Sequence, residues 1–269
     1  MPTLLIFGLG YLGAAVARQA EAAGWSVEAT SRDPARGLID PAETARLAPA
    51  VGKADALLVT AAPTIEGCPA HRALVPVFAE RRPAWIGYVS STGVYGDRGG
   101  GWVFEDSALN ASSISGARRV AAEQAWADEG AHLFRLPAIY GPGRSSVDRL
   151  RDGTARRVRK PGQVFNRVHV EDAAAGILAS IARPRPGRAY NLADDDPSPM
   201  ETVLLSAAER MGLPPPPETD LDDPAVSEAM RGFYLDSKRV SNARAKAELA
   251  WRPRYPTWRE GLEALLSQA

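Results

Sequence analysis

Short apolar runs recur along the first half of the chain. Each is closed by small or turn-forming residues and followed by a stretch with helical spacing. Leu4-Leu5-Ile6-Phe7 is the first. An unbroken apolar run of this length, bounded by turn residues, predicts a strand buried on both faces. It ends in Gly8-Leu9-Gly10-Tyr11-Leu12-Gly13, and Ala14-Ala15-Val16-Ala17 then opens a helix of small residues. Gly24 stops that helix, and residues 25–30 predict a second strand. Residues 37–39 read as a short third strand and 42–47 as helix. The next strand covers 54–60 and is closed by Ala61-Ala62-Pro63. Residues 70–82 predict a helix in spite of Pro76, and 84–90 a further strand. Strands alternating with helices predict an α/β protein whose parallel sheet receives ligands at the carboxyl ends of its strands.

The glycines after the first run are spaced G-x-G-x-x-G. Gly8 permits a tight turn, Gly10 lets main chain approach a pyrophosphate, and Gly13 lets the helix pack close to the strand. The free N–H groups and positive end of the helix then face the phosphates. Between a strand and a helix, this loop of Gly8, Leu9, Gly10, Tyr11, Leu12 and Gly13 points to a dinucleotide site; a bare strand–helix turn is the alternative. The fold class expected is therefore α/β: a Rossmann doubly wound parallel sheet with a smaller C-terminal α/β substrate lobe.

The end of the second strand bears on the cofactor. NAD sites place a carboxylate about 20 residues beyond the glycines to hold the ribose 2′-OH, whereas NADP sites put arginine nearby. Here the chain reads Thr30-Ser31-Arg32, with no carboxylate until Asp33. Ser31 can hydrogen-bond a 2′-phosphate and Arg32 can pair with it. NADP is expected over NAD, with a solvated Arg32 as the alternative. The small residues Ala61, Ala62 and Pro63 leave room for adenosine or ribose.

A chain of 269 residues accommodates one α/β domain with an appended lobe. Lys and Arg total 32, as do Asp and Glu, which argues against a nucleic-acid surface. The single Cys68 excludes an intrachain disulfide and a Cys-rich zinc cluster, and fits a reducing cytoplasm. Asp194-Asp195-Asp196 has no His or Cys at ligand spacing, so no metal is expected. No run approaches the roughly 18 apolar residues of a membrane span. The first residues lack the basic region of a signal peptide. These features predict a cytoplasmic protein without membrane association.

Tyr88-Val89-Ser90-Ser91-Thr92-Gly93-Val94-Tyr95-Gly96 resembles the extended short-chain dehydrogenase/reductase family, in particular its NAD(P)-dependent sugar epimerase/dehydratase group. Further stretches agree in order. Phe134 through Gly143 resembles the strand and loop beside the nicotinamide, which implies cofactor contact at Pro137. Val168-His169-Val170-Glu171-Asp172-Ala173-Ala174 resembles the start of a family helix. Ala189-Tyr190-Asn191-Leu192 resembles the late strand, and residues from Ser237 to Leu262 the C-terminal tail. The resemblance spans nearly the whole chain. It implies a cofactor domain over 1–145, with a return segment near 164–182, and a mainly substrate-binding lobe over 146–269. It also implies a small-molecule substrate in the cleft and a homodimer.

The departures concern chemistry. Phe7 stands where many extended members carry a further glycine, so the loop resembles that of atypical members. The family's Tyr-x-x-x-Lys precedes a Glu-Gln pair. Glu123-Gln124 anchor that register and place Arg119 at the lysine and Ser115 at the tyrosine. In the family the tyrosine moves a proton, the lysine holds ribose and lowers the tyrosine pKa, and an upstream hydroxyl, here Ser91, orients the substrate. A serine hydroxyl is far less acidic than a phenol, and arginine does not give up its proton to assist it. Another acid such as Tyr95 or Tyr140 can serve instead, although both also fit as packing residues. Two readings stand. One is an NADP-binding oxidoreductase or epimerase/dehydratase-like enzyme acting on a small carbohydrate or nucleotide-sugar-like substrate. The other is a non-catalytic dinucleotide-binding sensor. His169 and Asp172 read as structural, and Glu105-Asp106 as a loop near substrate or simply solvated. The basic run Arg149, Arg151, Arg156, Arg157, Arg159 and Lys160 can receive an anionic sugar derivative; an exposed helix face fits it equally.

Overall fold

The computed structural model describes residues 1–79, 81–224, 226 and 228–267. Its first half contains β1 (Thr3–Phe7), α1 (Tyr11–Ala22), β2 (Ser26–Ala29), α2 (Thr44–Lys53), β3 (Ala56–Val59), α3 (Pro69–Leu74), β4 (Trp85–Ser91), β5 (Trp102–Val103), α4 (Ile114–Asp128) and β6 (His132–Leu136). The second half contains β7 (Ala138–Tyr140), α5 (Ser146–Arg151), β8 (Arg157–Val158), β9 (Arg167–His169), α6 (Val170–Ala182), β10 (Ala189–Asn191), α7 (Met200–Arg210), β11 (Glu218–Thr219), α8 (Glu228–Phe233), β12 (Arg239–Val240), α9 (Ala243–Glu248) and α10 (Trp258–Ser267).

A six-stranded sheet forms the centre, ordered β10-β6-β4-β3-β1-β2, with every pairing parallel. Side chains alternate across a strand, so β1 supplies both faces. Leu4 and Ile6 join Val16, Ala173 and Ile177 under α1 and α6. Leu5 and Phe7 join Leu47, Val51, Leu74 and Trp126 under the helices of the other face. Cover on both faces is why the strand is apolar throughout. From β1 the chain winds outward to β2, then crosses back to β3 on the other side of β1. That reversal opens a crevice at the carboxyl ends of β1 and β3, where the glycine loop lies.

Three predicted elements differ. The strand at 37–39 is a single bridge, Thr30 with Ile39. The intervening residues are taken up by a 3-10 turn, Pro34–Arg36, and by Gly37 in the left-handed region. The helix over 70–82 stops at Leu74 and continues as a 3-10 turn, Val75–Ala79; residue 80 lies outside the described residues. Pro76 has no N–H to continue an α-helical ladder. The return to the sheet runs past 182 as far as Asn191, because β10 pairs with β6.

The smaller lobe is stitched by three two-stranded pairs, β7 with β9, β8 with β11, and β5 with β12. The last brings the 102–103 segment of the cofactor half against the lobe. Val147, Val203, Ala207, Trp258, Leu262 and Leu265 form a separate core beneath it. The last two residues of the lobe, 268 and 269, lie outside the described residues. Among the described residues no helix is long and apolar enough to cross a membrane, and no His, Cys, Asp and Glu group could hold a metal ion.

Candidate active site

The glycine loop is held from both neighbouring strands. Gly8 has φ +102°, a region that only glycine enters cheaply. Its N–H donates to Thr30 Oγ1 at 3.0 Å, and the Leu9 N–H donates to the Thr30 carbonyl at 2.9 Å. Thr60 Oγ1 donates to the Gly8 carbonyl. A Cβ on Gly8 would lie 2.9 Å from Thr60 Oγ1, and one on Gly13 2.9 Å from the Gly8 carbonyl oxygen. A Cβ on Gly10 would meet nothing within 4 Å. The outer glycines are thus needed for packing, and the middle one faces open space. Gly10 also caps α1 without any side-chain hydrogen bond, so the first-turn N–H groups await an acceptor. This arrangement fits the diphosphate of a nicotinamide dinucleotide. Thr30 and Thr60 were not apparent as site residues from the sequence. The available signal was a hydroxyl residue immediately after each flanking strand.

At the ribose end, Ser31 Oγ accepts from the Asp33 N–H at 3.0 Å. Asp33 Oδ1 accepts from the Ala35 N–H at 3.0 Å. The first carboxylate after β2 is therefore turned to cap the Pro34–Arg36 turn. Arg36 donates from Nη1 to the Leu9 carbonyl and so reaches across the glycine loop. Arg32 is exposed and makes no hydrogen bond or ion pair with the described residues. Ala61, Ala62 and Pro63 follow β3, with Ala62 exposed.

Two of the catalytic candidates, Ser115 and Arg119, lie with Glu123 along one face of α4. Ser115, Arg119 and Glu123 are one turn apart on α4. Glu123 is buried and pairs with Arg135 of β6 at 2.8 Å. One turn earlier, Arg119 Nη1 donates to the Val89 carbonyl of β4 at 2.7 Å. Another turn earlier, Ser115 is exposed and its hydroxyl makes no hydrogen bond to the described residues. The first turn of α4 lies against the turn after β4, since a Cβ on Gly116 would be 2.9 Å from the Gly93 carbonyl oxygen. Ser91 begins that turn, and its Oγ accepts from the Gly93 N–H at 3.1 Å. Ser91, Ser115 and Arg119 thus gather near the carboxyl end of β4. Pro137 follows Leu136, which is the partner of Ser91 across the sheet.

The tyrosines are placed differently. Tyr95 is fully buried, donates to Asn191 Oδ1 at 2.7 Å and accepts from Arg135 Nη1 at 3.0 Å. With its hydroxyl bonded on both sides inside the core, Tyr95 is a packing residue and not a proton donor to the cleft. Tyr88 lies near Arg119, but it too is fully buried, and burial pushes its phenol up to about 12. Tyr140 stands edge-on to His169, with ring centres 5.2 Å apart. Burial raises its phenol as well.

Other polar residues serve the framework. His169 caps α6 by accepting from the Glu171 N–H at 3.3 Å, and burial pulls it down to about 4. Asp172 accepts from the N–H groups of Arg254 at 2.6 Å and Tyr255 at 3.0 Å, tying the C-terminal segment to α6. Glu105 is buried and accepts from the Asn191 N–H at 3.0 Å, whereas Asp106 is exposed. The basic run does not form one anion-binding patch. Arg157 pairs with Glu201 at 2.8 Å and Glu218 at 3.0 Å, and Lys160 donates to the Tyr234 carbonyl. Arg156 bonds the Gly153 and Ala155 carbonyls.

No family model matches the chain. A 3-diazoavenalumate denitrifying reductase from a Streptomyces species is 30% identical over 144 residues, covering 48% of this chain; the chain spans 45% of that relative's length. A conserved protein of unknown function from Silicibacter pomeroyi has a solved structure that is 43% identical, covers 100% of this chain and 99% of its own, and superposes with a TM-score of 0.92. A candidate NAD-dependent epimerase/dehydratase from Methylobacillus flagellatus is 26% identical over 99% of this chain and 98% of its own, with a TM-score of 0.76. The human epimerase family protein SDR39U1, solved with NADPH, shares the fold at a TM-score of 0.84 and 17% identity, covering 99% of this chain and 100% of its own. The parallel sheet, glycine loop and these structures agree: the chain has the Rossmann fold of extended short-chain dehydrogenase/reductases, and the structures it resembles include an NAD-dependent epimerase/dehydratase and an epimerase family protein.

Proposed function

We propose that the protein is an NADP-dependent oxidoreductase or epimerase/dehydratase-like enzyme acting on a small carbohydrate or nucleotide-sugar-like substrate. The observation that carries this reading is the open space at Gly10, over an uncapped α1, in a sheet whose β4 end gathers Ser91 and Arg119. The cofactor, when bound, supplies or removes hydride. Main-chain N–H groups of the loop hold its diphosphate. Two features support NADP: Asp33 is turned into a cap, and Arg32 and Arg36 supply positive charge near the ribose end. Structures of this fold are solved with NADPH and with NAD, which supports a nicotinamide dinucleotide at this loop.

The Ser91 oxygen is occupied as an acceptor, so its proton is free for a substrate oxygen. Arg119 fixes positive charge beside that position and retains donors for ribose hydroxyls. Ser115 offers a solvent-facing hydroxyl where the family carries a phenol. With no phenol at that position, a proton for the substrate oxygen would come from solvent at this end of the cleft. Substrates that need no strong acid from the protein suit such a site, and the diazo-compound reductase among the relatives supports a reductive reaction.

A second reading, a dinucleotide sensor without turnover, is favoured by the burial of both Tyr88 and Tyr95. The two are separated by NADPH oxidation across a panel of sugars, sugar nucleotides and carbonyl compounds. Turnover that is lost in Ser91→Ala and retained in Arg32→Ala supports the enzyme. Tight NADPH binding with no turnover supports the sensor, and failure to bind NADPH or NADH overturns both.

A further inference from the structure

Beyond the cofactor crevice, a cavity of about 390 Å³ lies between β7, α5, α7 and α10. Its lining divides by chemistry. Arg149 and Arg167 line it with cationic side chains, and Tyr140 and Trp258 form part of its wall. Neither arginine has a carboxylate within 4 Å among the described residues, and the charge acting most strongly on Arg167 is the buried Asp194. Arg167, 5% exposed, donates to Ser198 Oγ at 2.9 Å and to the Ser198 carbonyl at 3.2 Å. The side chain of Arg149 makes no hydrogen bond to the described residues. A guanidinium group donates only, so the two arginines call for an acceptor. The remaining wall is apolar: Ile139, Met200, Val203, Leu262 and Leu265. Asp148 and Asp152 also border the cavity, but the Asp148 carboxylate is engaged by Ser145 Oγ at 2.6 Å. Arg144 stands at the border too, over the Tyr11 ring at 5.7 Å, which places the cavity beside the glycine loop.

We propose that this cavity binds an organic anion, a carboxylate or phosphate monoester on a flat apolar body, with the anionic end on Arg149 and Arg167. A volume of this size suits a one- or two-ring molecule. The inference does not depend on the cofactor reading.

Calorimetric titration of the full chain, with and without saturating NADPH, tests it using 2-naphthoate, 2-naphthyl phosphate and neutral 2-naphthamide. At least one anion should bind saturably and at least tenfold tighter than the amide; whichever binds tighter identifies the headgroup. Arg149→Met should weaken the anion at least tenfold and leave NADPH binding and thermal stability unchanged. Val203→Trp, which fills the apolar wall and keeps both arginines, should abolish binding. Equal affinity for amide and anions, indifference to both substitutions, or displacement of the probes by NADPH would overturn the proposal. Anion binding by a protein that takes up no NADPH would leave this site standing and remove the proposed oxidoreductase function.

Discussion

The guanidinium of Arg119 donates to the main-chain carbonyl of Val89 at 2.7 Å, joining α4 to β4 at the position where the family resemblance expects a lysine. Ser115, one turn away, faces solvent where a tyrosine is expected. If tyrosine chemistry is what this site lacks, the double variant Ser115→Tyr/Arg119→Lys should raise NADPH-dependent turnover of the best panel substrate by about 10²-fold, the lower end for a positioned acid. Steady-state kinetics across neutral pH would show this. Unchanged turnover would mean that the reaction needs no such acid.

Gly8 and Gly10 should respond in opposite ways. Gly8→Ala meets both positive φ and Thr60 Oγ1 at 2.9 Å, so a stability loss of about 1–3 kcal/mol is expected in urea unfolding. Gly10→Val has space for its side chain in the free protein. It should fold normally and lose dinucleotide binding, because the branched group occupies the diphosphate position. Retained NADPH binding in folded Gly10→Val would contradict the cradle.

Arg36 reaches Leu9 across the loop, whereas Arg32 points to solvent. Titration of NADPH against NADH should therefore show a larger loss of NADPH preference in Arg36→Ala than in Arg32→Ala. The reverse order would return the role to Arg32, the residue expected from sequence.

The buried pair of Glu123 and Arg135 should dominate local stability. Glu123→Ala leaves an unpaired guanidinium in the core and should cost about 3–5 kcal/mol. Tyr95→Phe removes one hydroxyl from the same network and should cost about 0.5–1.5 kcal/mol with kcat unchanged. A large fall in kcat for Tyr95→Phe, at unchanged stability, would restore it as a catalytic candidate.

Two buried groups give opposing pH dependences. Burial raises the Asp194 carboxyl from 3.8 to about 7, so the folded protein holds a proton there that the unfolded chain has released. Its contribution to stability falls as pH rises between those values. Burial lowers His169 from 6.5 to about 4, so its contribution falls as pH drops through that window. Asp194→Asn removes only the first effect. Relative to the parent protein, it should gain about 1–3 kcal/mol on going from pH 4 to pH 8, measured by denaturant unfolding. A gain that does not depend on pH would exclude the raised carboxyl.

The sequence by itself determined the parallel-sheet architecture and the place of the dinucleotide loop, because both are written locally. An apolar run followed by G-x-G-x-x-G fixes a strand, a turn and a helix within a few neighbouring residues. Tertiary structure alone decided what those side chains meet. Thr30 and Thr60 converge on Gly8 only when β2 and β3 flank β1. Arg36 reaches the loop because the Pro34–Arg36 turn redirects the chain. Tyr95 is withdrawn from the cleft by Arg135 and Asn191, residues far along the sequence. Those choices depend on long-range packing and on which buried polar groups must be satisfied, and neither is encoded in local spacing.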